Sequence, residues 1–409
     1  MLKNRDFYLT QLIKFKDKPL IKVITGMRRS GKSSLLELFE SYLLANGVPS
    51  DHIIRMNFES LEFDELTSYK QMYASLKKQL IKNGKNFYIL LDEVQQVESW
   101  ERVVNSLQVD YPVDIYLTGS NAYLLSSELS TLLSGRYVEI PIQPLSFKEY
   151  LNFRENEESE LLSVSKPLAD RFNDYVTYGG LPTVIKLLDQ KETISAFLSG
   201  VINTVILKDV VQRNQVRDPA LLESLLKFIA DNIGNIVSTK KIADYLNSSG
   251  RKTTSDTIDN YLAMLENAYI ICRANRYDLK GKMFLKTLEK YYIVDLGIRN
   301  QLTGLRNADY GQILENVVFL ELLHRQYEVC IGKVGTLEVD FIATRADKKM
   351  YVQVSATIMD EKTRERELRP LLAIDDQYDK MILTMDRHFT KDFEGIRIIN
   401  ILDFLLHEE

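Results

Sequence analysis

The sequence predicts an α/β fold: a parallel-sheet core first, then helical segments, then a second, smaller α/β unit. Three observations point there. Apolar runs of strand length stand at 19–25, 86–91 and 113–118, and the first leads through a glycine turn into the helix-like LLELFESYLL. The 409 residues suggest two or three domains at ~150 residues each. With 45% hydrophobic and 27% charged residues, the chain can build cores and is not disordered. Lys plus Arg number 52 against 57 Asp plus Glu, a net charge of −5, which excludes a strongly basic protein that coats nucleic acid. Cys272 and Cys330 are the two cysteines, too few for a disulfide framework or a cysteine metal cluster. Four scattered histidines offer no zinc-ligand pair. The opening MLKNRDFYLTQLIKFKDK lacks the apolar stretch of a signal peptide, and nothing approaches the ~20 apolar residues of a membrane span. A cytoplasmic protein with no membrane partner is expected.

The stretch 19–25 reads as a buried strand running directly into Gly26, Met27, Arg28, Arg29, Ser30, Gly31, Lys32, Ser33 and Ser34. This is a full G-x-x-x-x-G-K-[ST] match in the context the motif requires: strand, glycine loop, helix. Gly26 and Gly31 let backbone N–H groups curl around phosphate, and the helix N-terminus adds the positive end of its dipole. Lys32 is expected to reach the β and γ phosphates, and the Ser33 hydroxyl to ligate Mg²⁺. The strand 86–91 ends in Asp92-Glu93, placing a carboxylate at its C-terminal edge. Asp92 is assigned to Mg²⁺ through water, and Glu93 to the general base that polarises the attacking water. A further candidate strand, 52–57, lies between the two motifs. An extra strand there fits ATPases whose catalytic Glu follows the metal-binding Asp.

The strand 113–118 is followed by Gly119-Ser120-Asn121. A polar side chain here can lie beside the γ-phosphate and orient water; Ser120 is the first choice and Asn121 the second. An ordinary helix N-cap is the alternative. Leu133-Ser-Gly-Arg136-Tyr carries a candidate arginine finger, Arg136, acting in cis or in trans, with a plain surface arginine as the other reading.

GMRRSGKSS, LLDEVQ, LTGSN, LSGRY followed by PLSF, and YGGLP, in that order, resemble the bacterial and archaeal AAA+ ATPases of the STAND-related branch. Within it, the similarity is to the group with a C-terminal domain of unknown function related to restriction endonucleases. It spans essentially the whole chain. It implies an ATP-switching core with a helical lid and a winged helix, and a Gly-x-Pro in the lid that touches nucleotide; Gly180-Leu181-Pro182 matches, though a helix-ending turn reads equally from those residues. Arg5 resembles the polar residue ahead of the loop on the adenine side. No N-K-x-D motif appears, so ATP is expected rather than GTP.

Residues 152–165 are acidic and read as a solvated connection. From 167 to about 216 the spacing is helical. Three helix-like segments, 220–233, 239–246 and 255–267, precede strands at 269–273 and 291–295 that flank a basic loop, which suggests a winged helix. Its third helix buries Ile258, Leu262 and Leu265, leaving Asp256, Asp259 and Asn260 outward, a poor face for phosphates. A structural or partner-docking role is therefore preferred to DNA reading, with Arg273, Arg276, Lys280, Lys282 and Lys286 as a candidate basic wing. From Tyr310 the order is helix, three strands, helix, two strands. Glu315 and Asp340 match two acids of a nuclease-like pattern that needs carboxylates for Mg²⁺ and a lysine beside the water. Its E-x-K positions hold Gln353 and Ser355, so cleavage is not expected.

The expected architecture is a P-loop (AAA+-like) core over 1–150, a helical lid over 151–217, a winged helix over 218–300 and a degenerate restriction-endonuclease-like domain over 301–409. The expected activity is ATP hydrolysis with Mg²⁺ driving a conformational switch. The alternatives are a nucleotide-dependent DNA- or protein-recognition module with negligible turnover, and an active DNA nuclease. ATP and ADP are the expected ligands; DNA, a protein partner and an oligomer are candidates.

Overall fold

The structure, a computed structural model, describes residues 3, 5–80, 86–120, 133, 135–158, 166–305, 310–387 and 392–407. The chain forms two compact units: residues 1–142 with 267–269, and residues 143–266 with 270–409.

Unit 1 follows α1 (Asp6–Lys14), β1 (Ile21–Gly26), α2 (Lys32–Ala45), β2 (Ile53–Asn57), α3 (Tyr69–Gln79), β3 (Phe87–Asp92), α4 (Trp100–Asp110), β4 (Val113–Gly119) and β5 (Tyr137–Ile142). All five strands pair in parallel, in the order β2-β3-β4-β1-β5. Strands buried on both faces need apolar side chains at successive positions, which is why β1 and β3 read as continuous apolar runs. Alternate residues then serve opposite layers. Ile24, Leu90 and Tyr116 pack under Leu35, Leu36 and Phe39 of α2. Val23, Ile89, Leu91 and Leu117 pack under Met72 of α3 and Val104 and Leu107 of α4. The strand at 52–57 is present, but as the edge of the sheet. The strand between the glycine-loop strand and the Asp-Glu strand is β4.

Unit 2 begins with α5 (Phe147–Glu158), α6 (Leu168–Tyr178), a short turn Pro182–Ile185 and α7 (Lys191–Thr204), which runs into a π-helical segment, Val205–Gln212. Then come α8 (Pro219–Asp231), α9 (Thr239–Ser248), α10 (Ser255–Asn267), β6 (Ile271–Asp278), β7 (Met283–Ile293) and α11 (Leu296–Thr303). The remainder is α12 (Tyr310–His324), β8 (Glu328–Val334), β9 (Leu337–Arg345), β10 (Lys348–Ser355), α13 (Glu361–Leu372), β11 (Asp379–Thr384), β12 (Asp392–Phe393), β13 (Ile396–Asn400) and α14 (Ile401–Leu406).

Three helices followed by a hairpin are thus present over 219–293, with Ile258, Leu262 and Leu265 buried and Asp256, Asp259 and Asn260 exposed. The hairpin is longer than expected. Much of the supposed basic loop is strand, because Arg276–Asp278 also pair with Ile331–Lys333 of β8. The hairpin therefore joins one eight-stranded mixed sheet, β12-β13-β11-β10-β9-β8-β6-β7. The Asn316 side chain ties α12 to this sheet: its Oδ1 accepts from Ile293 N–H at 2.9 Å and its Nδ2 donates to Ile293 O at 2.9 Å. Among the described residues no helix is long and apolar enough to cross a membrane.

Candidate nucleotide site

Parallel strands end together, so their C-terminal residues form a rim where ligands of open α/β sheets bind. In unit 1 that rim carries Asn57, Asp92 and Gly119, with the 26–34 loop leaving β1. The loop needs its glycines. Gly26 has φ +138°, and a Cβ there would lie 2.2 Å from Ile142 O. Gly31 precedes α2 at φ +101°, and Arg29 also has positive φ, at 64°. Such a succession turns N–H groups inward and forms an anion cradle. Arg5, almost fully buried, donates from Nη1 to Ser30 O at 2.9 Å and lies over the Tyr8 ring. That hydrogen bond ties it to the loop backbone.

Lys32 is 4% exposed; its Nζ donates to Gly26 O at 3.1 Å and Met27 O at 3.0 Å and stands 3.7 Å from Glu93 Oε1. Ser33 is half-buried and Ser34 exposed; Ser30 is buried, and its Oγ has no partner among the described residues. Arg28 reaches Glu59 at 3.2 Å, and Arg29 is exposed. Asp92 is fully buried. Its Oδ1 accepts from Thr118 Oγ1, and its Oδ2 has no hydrogen-bond partner among the described residues. A buried carboxylate oxygen left bare is costly unless something fills its place. Glu93 takes a left-handed backbone, φ 53°, and its N–H donates to Thr118 Oγ1 at 2.8 Å. Gln95 Nε2 donates to Glu93 Oε2. These residues fit a phosphate with a divalent cation: a glycine cradle, a lysine, a neighbouring hydroxyl and a bare buried oxygen.

Ser120 follows β4 directly; it is 1% exposed, and its Oγ has no partner among the described residues. Asn121 lies outside the described residues. Arg136 is exposed and precedes β5, with its carbonyl accepting from Ile21 N–H at 2.8 Å. Tyr137 is level with Ile21 and Ile142 with Gly26, so Arg136 stands at the sheet edge opposite the loop. Five residue steps of strand separate the two edges by roughly 16 Å. Register therefore sets Arg136 away from this copy's loop, so a finger acting on another copy's site and a plain surface arginine are the two readings left.

Gly180 and Pro182 belong to unit 2. Gly180 N–H donates to Asp295 Oδ2 at 2.7 Å, and Pro182 opens the turn Pro182–Ile185. Glu315 and Asp340 do come together, but with Lys290 of β7 between them: its Nζ is 2.9 Å from Glu315 Oε1 and 4.0 Å from Asp340 Oδ1. Gln353 Oε1 accepts from Asp340 N–H, and Ser355 Oγ donates to Thr357 O. Sequence reading passed over Thr118, Gln95, Asp295 and Lys290. Thr118 was legible as the last polar residue of an apolar strand; Lys290 carried no local signal.

The position of β4 between β1 and β3, with the glycine loop leaving β1, gives unit 1 the sheet order of a P-loop nucleotide-binding fold. A family model described as "AAA domain" matches residues 18–151, and one described as "Domain of unknown function (DUF8612)" matches residues 169–309. An uncharacterized Haemophilus influenzae protein is 44% identical over 98% of each chain. Protein MJ1544 of Methanocaldococcus jannaschii, also uncharacterized, is 32% identical over 91% of this chain and 83% of its own. The chain belongs to the family of these two proteins, and its residues 18–151 carry the AAA-domain match. Among solved structures, the Walker-type ATPase PABY2304 of Pyrococcus abyssi superposes with a TM-score of 0.54 at 17% identity, covering 73% of this chain and 95% of that one.

Proposed function

We propose that the chain is an ATP hydrolase that uses Mg²⁺ and couples nucleotide turnover to a conformational switch. The observation that carries this is the bare, buried Asp92 Oδ2, followed in the chain by Glu93, whose carboxylate stands 3.7 Å from the P-loop Lys32. Ser33 and Asp92 would hold Mg²⁺, which when bound offsets phosphate charge. Gly26 to Ser34 cradle the phosphates through backbone N–H groups. Lys32, now resting on two loop carbonyls, exchanges them for phosphate oxygens. Glu93 is released from Lys32 by that exchange and becomes available to accept a proton from water. Ser120 orients that water, and Arg136 serves a neighbouring copy. Gly180 and Pro182 as lid contacts, and Arg5 on the adenine side, rest on motif resemblance.

The segments 151–217, 218–300 and 301–409 are proposed as lid, winged helix and nuclease-like domain. The last is read as inactive in cleavage, since Gln353 and Ser355 offer neither a carboxylate nor a lysine. A protein or DNA partner and a cytoplasmic setting complete the reading.

The test is ATP turnover and nucleotide affinity in two variants. Lys32→Ala should lose nucleotide binding. Glu93→Gln should bind ATP normally yet retain it unhydrolysed, because an amide keeps the shape but takes no proton. Wild-type turnover in Glu93→Gln would overturn the assignment of the base, and unchanged affinity in Lys32→Ala that of the loop.

A further inference from the structure

Lys290 of β7 is a buried, heavily engaged lysine of unit 2. Its side chain is 5% exposed, and its Nζ lies 2.8 Å from Glu338 Oε1, 2.9 Å from Glu315 Oε1 and 4.0 Å from Asp340 Oδ1. These groups come from β7, β9 and α12, so only the fold brings them together. Tyr292 OH adds a 2.5 Å hydrogen bond to Glu315 Oε1, above an aromatic floor of Tyr292, Phe319 and Phe341. Asp340 is fixed at both ends: its Oδ2 accepts from Val354 N–H at 2.8 Å and its own N–H donates to Gln353 Oε1 at 2.8 Å. Gln353 passes the network to Glu367, which Arg366 neutralises.

The charges do not balance without a cation. Two carboxylates, Glu315 and Glu338, contact one ammonium, with Asp340 standing further off at 4.0 Å; Glu315 and Asp340 are mostly buried and Glu338 partly exposed. Burial by itself disfavours the charged amine, yet Glu315, Asp340 and Glu338 outweigh it and hold Lys290 above the ordinary lysine range. An all-oxygen set around a desolvated positive centre is the environment of a hard divalent cation. As they stand, no three acidic, histidine or cysteine groups among the described residues are close enough to hold a metal. N⁺···O contacts of 2.8 and 2.9 Å hold the oxygens further out than the about 2.0–2.6 Å of Mg²⁺ or Ca²⁺ ligation.

We propose that the Lys290 ammonium is the resident cation of a latent divalent-cation site made by Glu315, Glu338 and Asp340. The chain thereby keeps that site filled with its own side chain. Unit 2 then needs no metal to hold these acids together, and none enters. A neutral residue at 290 opens the site to a hard cation.

The experiment is Mn²⁺ binding followed by electron paramagnetic resonance on the full chain without nucleotide. Asp92→Asn is present throughout to silence the unit 1 site. This background should show no saturable Mn²⁺ site. Adding Lys290→Met, or Lys290→Gln, should create one site per chain that Mg²⁺ competes for and that Asp340→Asn abolishes. Two results would overturn the proposal: Mn²⁺ binding by the background that Asp340→Asn removes, or a folded Lys290 variant that binds none. If both Lys290 variants are unfolded as purified, refolding by millimolar Mn²⁺ supports the proposal, and failure of Mn²⁺ to refold either overturns it.

Discussion

Thr118 has one hydroxyl and two tasks: it donates to Asp92 Oδ1 and accepts the Glu93 N–H. It thus fixes which Asp92 oxygen remains bare and holds Glu93 in its left-handed backbone, a conformation of modest cost for a non-glycine residue. Replacing it by the isosteric valine leaves a buried N–H and a carboxylate oxygen short of partners, worth about 1–3 kcal/mol. We predict that Thr118→Val lowers kcat by roughly 10- to 100-fold while ATP affinity changes little. Steady-state kinetics with a separate nucleotide-binding measurement reads the two apart. An unaltered kcat would remove Thr118 from the catalytic machinery.

Elements in unit 2 are joined by buried polar side chains as well as by apolar packing. Asp295 is the N-cap of α11, accepting from Ile298 N–H at 3.1 Å, and its other oxygen accepts from Gly180 N–H. Glycines allow this approach: a Cβ on Gly179 would meet Asp295 Oδ1 at 2.2 Å, and one on Gly297 would meet Tyr178 O at 2.1 Å. Burial raises the Asp295 carboxyl to about 6, against the four backbone N–H groups that lower it. Its pKa is higher folded than unfolded, so the folded state binds the proton more tightly. The resulting stabilisation is complete below about pH 4, the unfolded value, and is lost as pH rises through 6. Asn cannot titrate, and its NH₂ faces a backbone donor, so Asp295→Asn should be less stable throughout. Between pH 7.5 and 5 the wild type should gain about 1 to 1.5 kcal/mol relative to the variant. Urea melts of both proteins at the two pH values check this; a constant difference would show that Asp295 stays ionised.

At the scale of the molecule, the register of β5 against β1 has a consequence for assembly. Arg136 stands at the edge of the sheet remote from the loop, so it can serve catalysis only in a neighbouring copy. If it does, turnover per chain rises with protein concentration, and Arg136→Ala removes the rise while leaving nucleotide binding intact. Measuring rate against concentration, with sedimentation alongside, tests this; concentration-independent hydrolysis by a monomer would exclude the arginine. The mixed sheet adds a second consequence. Because β6 pairs with β8, the hairpin that follows the three helices is a structural part of the C-terminal sheet.

Signals written in consecutive residues were legible. Gly26 to Ser34, the Asp92-Glu93 pair, the strands that carry them, and the buried face of α10 all follow from local spacing, since a motif of nine residues or a helical repeat fixes its own geometry. Pairings between distant segments were decided by the tertiary structure. Periodicity shows that 52–57 and 113–118 are strands, but not that β4 lies inside the sheet and β2 at its edge. An E-x-K reading along β10 finds Ser355 and no lysine, whereas packing delivers Lys290 to Glu315 from 25 residues away along the chain. The Thr118–Asp92, Asp295–Gly180 and Lys290–Glu315 contacts share one physical origin. Each is a buried polar pair whose partners meet only after chain segments have closed over them, and no local pattern encodes which segments those will be.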